Sequence, residues 1–111
     1  MEKLKWYKYT DFGQTELAVD KATIWEAAYN GKEGLFTLDV YPLKLLNKNE
    51  KGWEYRITET EPSGDFKEDG IEYDSAFEGN DHAPTAKVAM KWAEATLEDL
   101  LEERRAKKVK A

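Results

Sequence analysis

The chain has one histidine, and a histidine near a serine and a carboxylate is the arrangement of a hydrolase triad. Ser75, Asp81 and His82 supply those three groups close together in the sequence. The glycine-flanked turn that exposes a nucleophilic serine does not surround Ser75, and no oxyanion signal accompanies it. His82 instead stands in Asn-Asp-His-Ala-Pro, which is typical of a surface loop. We therefore predict a loop position for His82, no catalytic residue, and a protein that is not an enzyme.

Metal and cofactor chemistry needs residues that the sequence does not supply. There is no cysteine, and one histidine is too few for a multi-histidine metal site. The stretch from Asp65 to Gly70 is similar to a calcium-binding loop. With Gly70 at position 6, however, Lys67 falls at position 3 and Ala76 at position 12, where oxygen ligands are required. No Gly-x-Gly and no phosphate-binding Gly-Lys-Ser/Thr motif occurs, so we expect neither a metal nor a cofactor.

An acidic segment, residues 59–81, is the most distinctive feature of a chain whose net charge is −6. The segment holds nine acidic residues and one lysine, a net charge of −8, with Phe66, Tyr73 and Phe77 among them. Acidic groups speed the encounter with a basic partner, and aromatic side chains supply anchoring energy. The segment is either a solvated loop or a contact surface for a basic protein. In the second interpretation, the candidate partner-binding residues are Asp65, Phe66, Glu68, Asp69, Glu72, Tyr73 and Asp74.

The C-terminal end has the opposite charge, with five basic residues between positions 104 and 110. They either complement the dipole of a helix end or contact phosphates. The candidate phosphate contacts are Arg104, Arg105, Lys107 and Lys108. Aromatic residues of the predicted strands could stack on bases, although such residues more often belong to a core: Trp6, Tyr7, Tyr9, Trp53 and Tyr55. Five basic groups in an otherwise acidic chain would bind nucleic acid only weakly. We therefore prefer protein binding as the function and keep nucleic-acid binding as the alternative.

The elements that position these residues follow from hydrophobic periodicity. Aromatic residues at 3–10 predict a first strand, which a turn at residues 11–13 ends. The stretch 15–29 fits either a strand or a helix, and we prefer strands, with a connection of about five residues leading to Gly34. Strict alternation then predicts strands over 35–41 and 53–58.

The rest of the chain reads as a turn, a short strand and a helix. Pro62-Ser63-Gly64-Asp65 predicts a turn, and alternation near 71–77 predicts a last strand. Residues 86–105 predict a long helix, with a frayed basic tail at 106–111. Its apolar stripe includes Leu97 and Leu100, which we expect to pack on the sheet. Trp92 lies off the stripe and either packs on the strands or marks an oligomer contact.

Strands first and a helix last predict an α+β protein. We expect an antiparallel meander of four to five strands, within a strand-rich part at 3–77, packed by one long C-terminal helix. The length of 111 residues fits a single domain, 1–111. No apolar run is long enough for a membrane span or a secretory signal, so we expect a cytoplasmic protein without membrane contact. It would be a monomer or a homodimer.

Two pieces of sequence carry a resemblance to a known group of proteins. They are Trp53-Glu54-Tyr55-Arg56-Ile57 in a predicted strand, and Thr85, Ala89 and Ala93-Glu94-Ala95-Thr96-Leu97 in the predicted helix. This combination resembles small uncharacterised proteins of bacteriophages and other mobile elements, which implies the same meander-and-helix fold. Some phage proteins of this size block host defence enzymes, including CRISPR nucleases. The resemblance therefore implies an inhibitor of a host protein, and it assigns no residue role.

Overall fold

The computed structural model of the chain describes residues 3–13, 16–76 and 82–110. Five antiparallel strands come first: β1 (Tyr7–Phe12), β2 (Lys21–Gly31), β3 (Gly34–Pro42), β4 (Trp53–Thr60) and β5 (Phe66–Asp74). A short 3-10 helix, Leu43–Leu45, follows β3, and the helix α1 (Ala86–Lys110) ends the chain. The strands pair in chain order, β1-β2-β3-β4-β5. The predicted α+β fold, an antiparallel meander with one long C-terminal helix, is confirmed.

Alternation along β3 and β4 decides which face of the sheet the helix covers. Phe36, Leu38 and Val40 of β3 are buried together with Tyr55 and Ile57 of β4. Small and large residues of α1 pack on them, and those that are fully buried are Ala89, Ala93, Leu97 and Leu101. The alanines let the helix approach the sheet closely, and the leucines supply the buried apolar area. Leu97 is buried as predicted, whereas Leu100 is only partly buried against the same cluster.

The opposite face of the sheet, which we call the open face, has a smaller apolar cluster at one end. Ala22 and Ile24 of β2 meet Tyr41 of β3 and Leu45 of the 3-10 helix there. Backbone bonds tie this end together, because the Val19 amide donates to the Lys44 carbonyl at 3.1 Å. The rest of the open face has no helix packed on it within the ranges that the structure describes.

Several strand boundaries differ from the sequence prediction, most of all in the first half of the chain. The first strand begins at Tyr7 and includes Asp11 and Phe12, which were predicted as a turn. The preferred strand assignment within 15–29 is correct for Lys21 onward. The connection to β3 is shorter than five residues, because Gly31 pairs directly with Gly34 and only Lys32 and Glu33 lie between them. Gly34 has a φ of +143°, a conformation that favours glycine, and this allows the tight turn.

The interpretation of the acidic segment as a solvated loop is wrong for residues 66–74, because these residues form β5. This strand starts five residues before the predicted one. Two register shifts in the β4–β5 pairing, between Ile57 and Thr58 and between Thr58 and Thr60, explain the error. Such bulges break the period-two alternation by which a strand is recognised. Gly70 is needed within this irregular stretch, since a Cβ there would lie 2.7 Å from the backbone oxygen of Glu59.

The helix also differs from its prediction at one end. It continues to Lys110, past the predicted end at Arg105. It begins at Ala86 as predicted, where the Val88 amide donates to the Thr85 hydroxyl at 3.2 Å as an N-terminal cap.

Candidate functional site

Strand register aligns four charged residues in one line across the open face. Glu26 of β2 pairs with Asp39 of β3, Asp39 with Arg56 of β4, and Arg56 with Asp74 of β5. We call these four residues the charged row. Tyr7 of β1 pairs with Glu26, so the line of paired residues crosses all five strands. Cross-strand neighbours of this kind lie close enough for their side chains to interact.

At the β5 end of the charged row, the charges are fully paired. Arg56 Nε donates to Asp74 Oδ2 at 2.9 Å, and Asp74 is only 4% exposed. The other carboxylate oxygen, Oδ1, accepts from the Tyr41 hydroxyl at 3.3 Å and from the Ala76 amide at 3.1 Å. Burial, with the charge of Asp74, raises the pKa of the Tyr41 hydroxyl, which therefore stays a donor. Asp74 is thus a structural residue, and Arg56 is held in one place by it.

At the centre of the charged row, one carboxylate oxygen of Asp39 lacks such support. Its Oδ1 is buried, and no described residue forms a hydrogen bond with it. Burial, together with a hydrogen bond to the neighbouring Glu26 carboxyl and the charge of that carboxyl, raises the pKa of Asp39 to about 7, although Arg56 and the Tyr9 hydroxyl act in the opposite direction. Burial and the nearby acids likewise raise the pKa of Tyr9 to about 12. The Asp39 carboxyl is therefore partly protonated near pH 7, and it lines a groove on the open face.

Two adjoining cavities meet at Asp39 and Arg56, and together we call them the open-face groove. One, of about 180 Å³, is lined by Asp39, Arg56 and the residues Tyr9, Asp11, Ile24, Tyr41, Leu45 and Leu46. The other, of about 360 Å³, is lined by Asp39, Arg56 and the residues Thr58, Phe66, Lys67, Gly70 and Ile71. Phe66 is 67% exposed and Ile71 is 55% exposed, so the β5 end of the groove presents apolar surface. The groove therefore has a polar, acidic centre and an apolar end.

The predicted partner-binding residues do not form one surface. Asp65 and Glu68 are exposed at the start of β5, and Phe66 lines the open-face groove. Glu72 and Tyr73 lie on the side of α1: Glu72 accepts from Arg104 at 2.8 Å, and the Tyr73 ring stacks on Tyr55 with centroids 5.3 Å apart.

Other predicted residues of this segment have different places. Asp74 is buried in the charged row. The Asp69 side chain, and Phe77 and Asp81 as a whole, lie outside the described part of the structure.

The predicted phosphate contacts are engaged with acidic residues of the sheet. Arg104 binds Glu59 at 2.6 Å and Glu72 at 2.8 Å, and it donates to the Glu33 carbonyl at 3.1 Å. Hydrogen bonding from Arg104 lowers the pKa of Glu59. Arg105 binds the Glu33 carboxylate at 2.6 Å. These contacts fix the C-terminal half of α1 to the β2–β3 and β4–β5 hairpins.

The two remaining candidates for phosphate contact do not extend this basic surface. Lys107 lies 3.4 Å from Glu103, one turn before it on the helix. The Lys108 side chain lies outside the part that the structure describes.

The serine and the histidine meet a buried carboxylate that the sequence did not single out. Glu54 is 2% exposed, and its two oxygens bind the Ser75 hydroxyl and His82 Nδ1. The Ser75 oxygen also accepts from the Tyr55 amide at 2.9 Å. Because the serine proton is directed to Glu54 and not to the imidazole, this is not the order of a hydrolytic triad. The arrangement fastens the segment before α1, where Ala83 also pairs with Trp53, onto β4.

Sequence reasoning missed Glu26, Asp39 and Arg56. One signal for them existed: Asp39 is an acidic residue in the middle of the most apolar strand, flanked by Leu38 and Val40. Its partners on β2 and β4 follow only from the register.

Compared with protein-family models, curated proteins and solved structures, the chain has no match. Among the described residues, no helix is long and apolar enough to cross a membrane. No three histidine or acidic side chains in these same ranges are grouped so that they could hold a metal ion.

Proposed function

We propose that the protein is a non-enzymatic interaction module that binds a protein with a basic surface. The observation that carries this proposal is the open-face groove, which Asp39 lines together with exposed Phe66 and Ile71, and in which Asp39 Oδ1 has no hydrogen-bond partner among the described residues. Buried polar atoms in native proteins almost always have a partner, so one that lacks it needs an explanation. An exposed apolar patch beside it is typical of a binding surface.

The distribution of the other acids supports the same partner chemistry. Glu33, Glu59 and Glu72 are paired with arginines of α1, and they hold the fold together. Asp65 and Glu68 are exposed beside the apolar end of the groove. A basic partner would meet these exposed acids first, and its approach would be accelerated by their charge. Phe66 and Ile71 would then supply the apolar contact.

The origin and setting of the protein belong to the same proposal. The resemblance to small phage and mobile-element proteins, together with the net charge of −6, suggests an inhibitor of a host enzyme that handles nucleic acid. Such an enzyme has a basic cleft, to which an acidic protein is complementary. The protein would then act in the cytoplasm of the host cell, as a monomer or a homodimer.

Nucleic-acid binding is the alternative, and the basic residues offer it less support. The guanidinium groups of Arg104 and Arg105 are already paired with carboxylates, which would have to be displaced by phosphates. A gel-shift experiment with DNA and RNA at low and moderate salt separates the two functions. We expect no shift, whereas a salt-sensitive shift would favour the alternative.

The proposed function is tested by capture of a partner from a bacterial lysate, followed by binding kinetics with two matched variants. The first variant, Asp65→Asn with Glu68→Gln, removes two charges beside the groove. The control, Asp99→Asn with Glu102→Gln, removes two charges from exposed residues of α1. Stopped-flow measurements at low and high salt compare their association rates.

We expect the first variant to associate several-fold more slowly at low salt and to show a flatter salt dependence, because its steering charges are gone. The control should associate at the rate of the parent protein. If the two variants behave alike, the acids beside the groove are not part of a contact surface, and the proposed function on this face is wrong.

A further inference from the structure

We propose that the open-face groove is a socket for a single arginine or lysine side chain, which binds at the Asp39 carboxyl in the cavity that this residue lines. This inference rests on the proposed function, since it names what the groove would take from a basic partner. It can also be tested without that partner, because a free arginine or lysine derivative is a sufficient probe.

One oxygen of Asp39 lacks a hydrogen-bond donor in the described part of the chain. Asp39 Oδ1 is buried and accepts no hydrogen bond from any described residue. A guanidinium or an ammonium group carries several N–H donors and a positive charge, and it forms short, strong bonds with carboxylates. The adjoining cavity of about 180 Å³ is lined by Asp39 itself and by the side chains of Tyr9, Tyr41 and Ile24, so it brings such a group up to this carboxyl. Aromatic and aliphatic walls suit the stem of a long basic side chain.

Charged and titratable side chains face Asp39 from the neighbouring strands. Tyr9 and Asp11 line the same cavity from β1, Glu26 faces Asp39 from β2, and Arg56 faces it from β4. Arg56 is the only cation among these, and it is bonded to Asp74 at 2.9 Å. Arg56 therefore offsets only part of the effect of the Glu26 carboxyl on Asp39, and Lys67 of β5, which lines the second cavity, is bonded to Glu59 at 3.2 Å. A neighbouring carboxyl favours the protonated form of Asp39, and a positive charge bound there favours release of the proton.

The lining of the groove favours an organic cation over a metal ion. Within the described residues, no three histidine or acidic side chains are grouped as metal ligands. The groove instead combines carboxyls with phenol and aliphatic walls, and its other end presents Phe66 and Ile71. A basic side chain with an apolar neighbour matches both ends. Specificity for the charge comes from Asp39 and Asp11, which line the groove, with Glu26 paired to Asp39 from β2, and the apolar end adds contact area.

Proton exchange makes the binding depend on pH. With the pKa of Asp39 near 7, a fraction of the carboxyl is protonated at neutral pH, and a cation must release that proton. The Tyr9 hydroxyl, with a pKa of about 12, stays protonated over this range, and the arginine Arg56 stays charged. Affinity for a cation should therefore rise between pH 6 and 8, by up to about tenfold for each unit below the pKa of Asp39.

The experiment titrates the protein with N-acetyl-arginine amide, N-acetyl-lysine amide and N-acetyl-citrulline amide, followed by NMR shifts of the amides around Asp39. Citrulline has nearly the shape of arginine without its charge. The variants are Asp39→Asn, which keeps the size of the side chain, and Asp99→Asn on the exposed side of α1 as the control. Calorimetry in two buffers of different ionisation enthalpy counts the protons released.

We expect arginine or lysine amide to shift amides of β2, β3 and β4, with affinity that increases between pH 6 and 8 and with release of a fraction of a proton at pH 7. Citrulline amide should bind at least tenfold more weakly. Asp39→Asn should abolish the binding while remaining folded, and Asp99→Asn should bind as the parent does.

The socket is overturned if neither cation binds, if citrulline binds as well as arginine, or if Asp39→Asn binds unchanged. None of these results decides the proposed function, because the partner can still bind through Asp65, Glu68 and Phe66. That question is answered by the association rates of the charge variants. If, conversely, the free amides bind at Asp39 while the Asp65→Asn, Glu68→Gln variant associates with the partner at the parent rate, Asp39 is a site for a basic ligand. The acids at the start of β5 are then not part of the interface.

Discussion

The two faces of the sheet are built from the same strands, and they differ in how well their polar groups are satisfied. The face under α1 is closed by fully buried residues such as Leu38, Ile57 and Leu97. The open face places the charged row at its centre, beside two cavities, and leaves Asp39 Oδ1 without a partner in the described structure. A buried polar group without a partner costs about 1–3 kcal/mol. One face thus provides stability, and the other gives up part of it where a ligand could bind.

The charges show the same division. Around the C-terminal half of α1, Arg104 and Arg105 are each held by carboxylates of the hairpins. At Asp39 two carboxyls face each other instead, and the nearest cation, Arg56, is bound to Asp74. Satisfied ion pairs are typical of a structural role, whereas a shifted carboxyl in a groove is typical of a functional one. The predictions below test this contrast.

The largest effect is expected from the closed face. Leu97→Ala should lower the free energy of unfolding by about 2–5 kcal/mol, because it leaves a cavity between α1 and the sheet. Leu100→Ala should have a smaller effect, since Leu100 is only partly buried. Urea denaturation measures both. If Leu97→Ala unfolds at the same urea concentration as the parent, α1 does not close this face.

A smaller effect of opposite sign is expected from the open face. Because folding raises the pKa of Asp39 to about 7, the folded state binds this proton more tightly than the unfolded chain, and the stability that it contributes is lost as the pH rises from about 4 to 7. The Asp39→Asn side chain does not ionise, so the variant does not lose this stability as the pH rises. The variant should therefore gain stability over the parent between pH 5 and 8, by the order of 2–3 kcal/mol.

Urea denaturation of both proteins at pH 5, 6, 7 and 8 measures this difference. Asp99→Asn is the matched control, since it removes the same charge from an exposed position of α1 and should run parallel to the parent protein. A constant difference between Asp39→Asn and the parent across this range would show that Asp39 is ionised like an ordinary surface carboxyl. The contrast between the two faces would then lose its central observation.

The smallest effect is expected from the paired charges at the hairpins. Arg104→Gln should destabilise the fold by about 1–2 kcal/mol, because the partly buried Glu59 and Glu72 would lose their common cation. Arg105→Gln should have a smaller effect, because the Arg105 side chain is about half exposed, it has one carboxylate partner, and the Tyr29 hydroxyl still donates to that carboxylate, Glu33. Thermal unfolding in low salt compares them. Equal effects of the two substitutions would mean that burial does not distinguish these ion pairs.

Much of the fold follows from the sequence, because the patterns that specify it are local. Alternation over 35–41 and 53–58 predicts two central strands, and the apolar stripe that contains Leu97 predicts the helix on them. The bulged strand β5 was only partly predicted, since its register shifts remove the alternation. For the same reason the acidic segment read as a loop, and its acids were grouped by their position in the chain.

Only the tertiary structure decided which charges act together. Glu26, Asp39, Arg56 and Asp74 come from four strands, and they become neighbours through the register of three hairpins. Glu72 and Asp74 are close in sequence, yet one faces Arg104 and the other faces Arg56. Sequence determines that the chain is acidic and which elements it forms, because both depend on composition and short-range periodicity. Which carboxyls are neutralised by arginines, and which one keeps a raised pKa beside another carboxyl, depends on long-range pairing that only the folded sheet specifies.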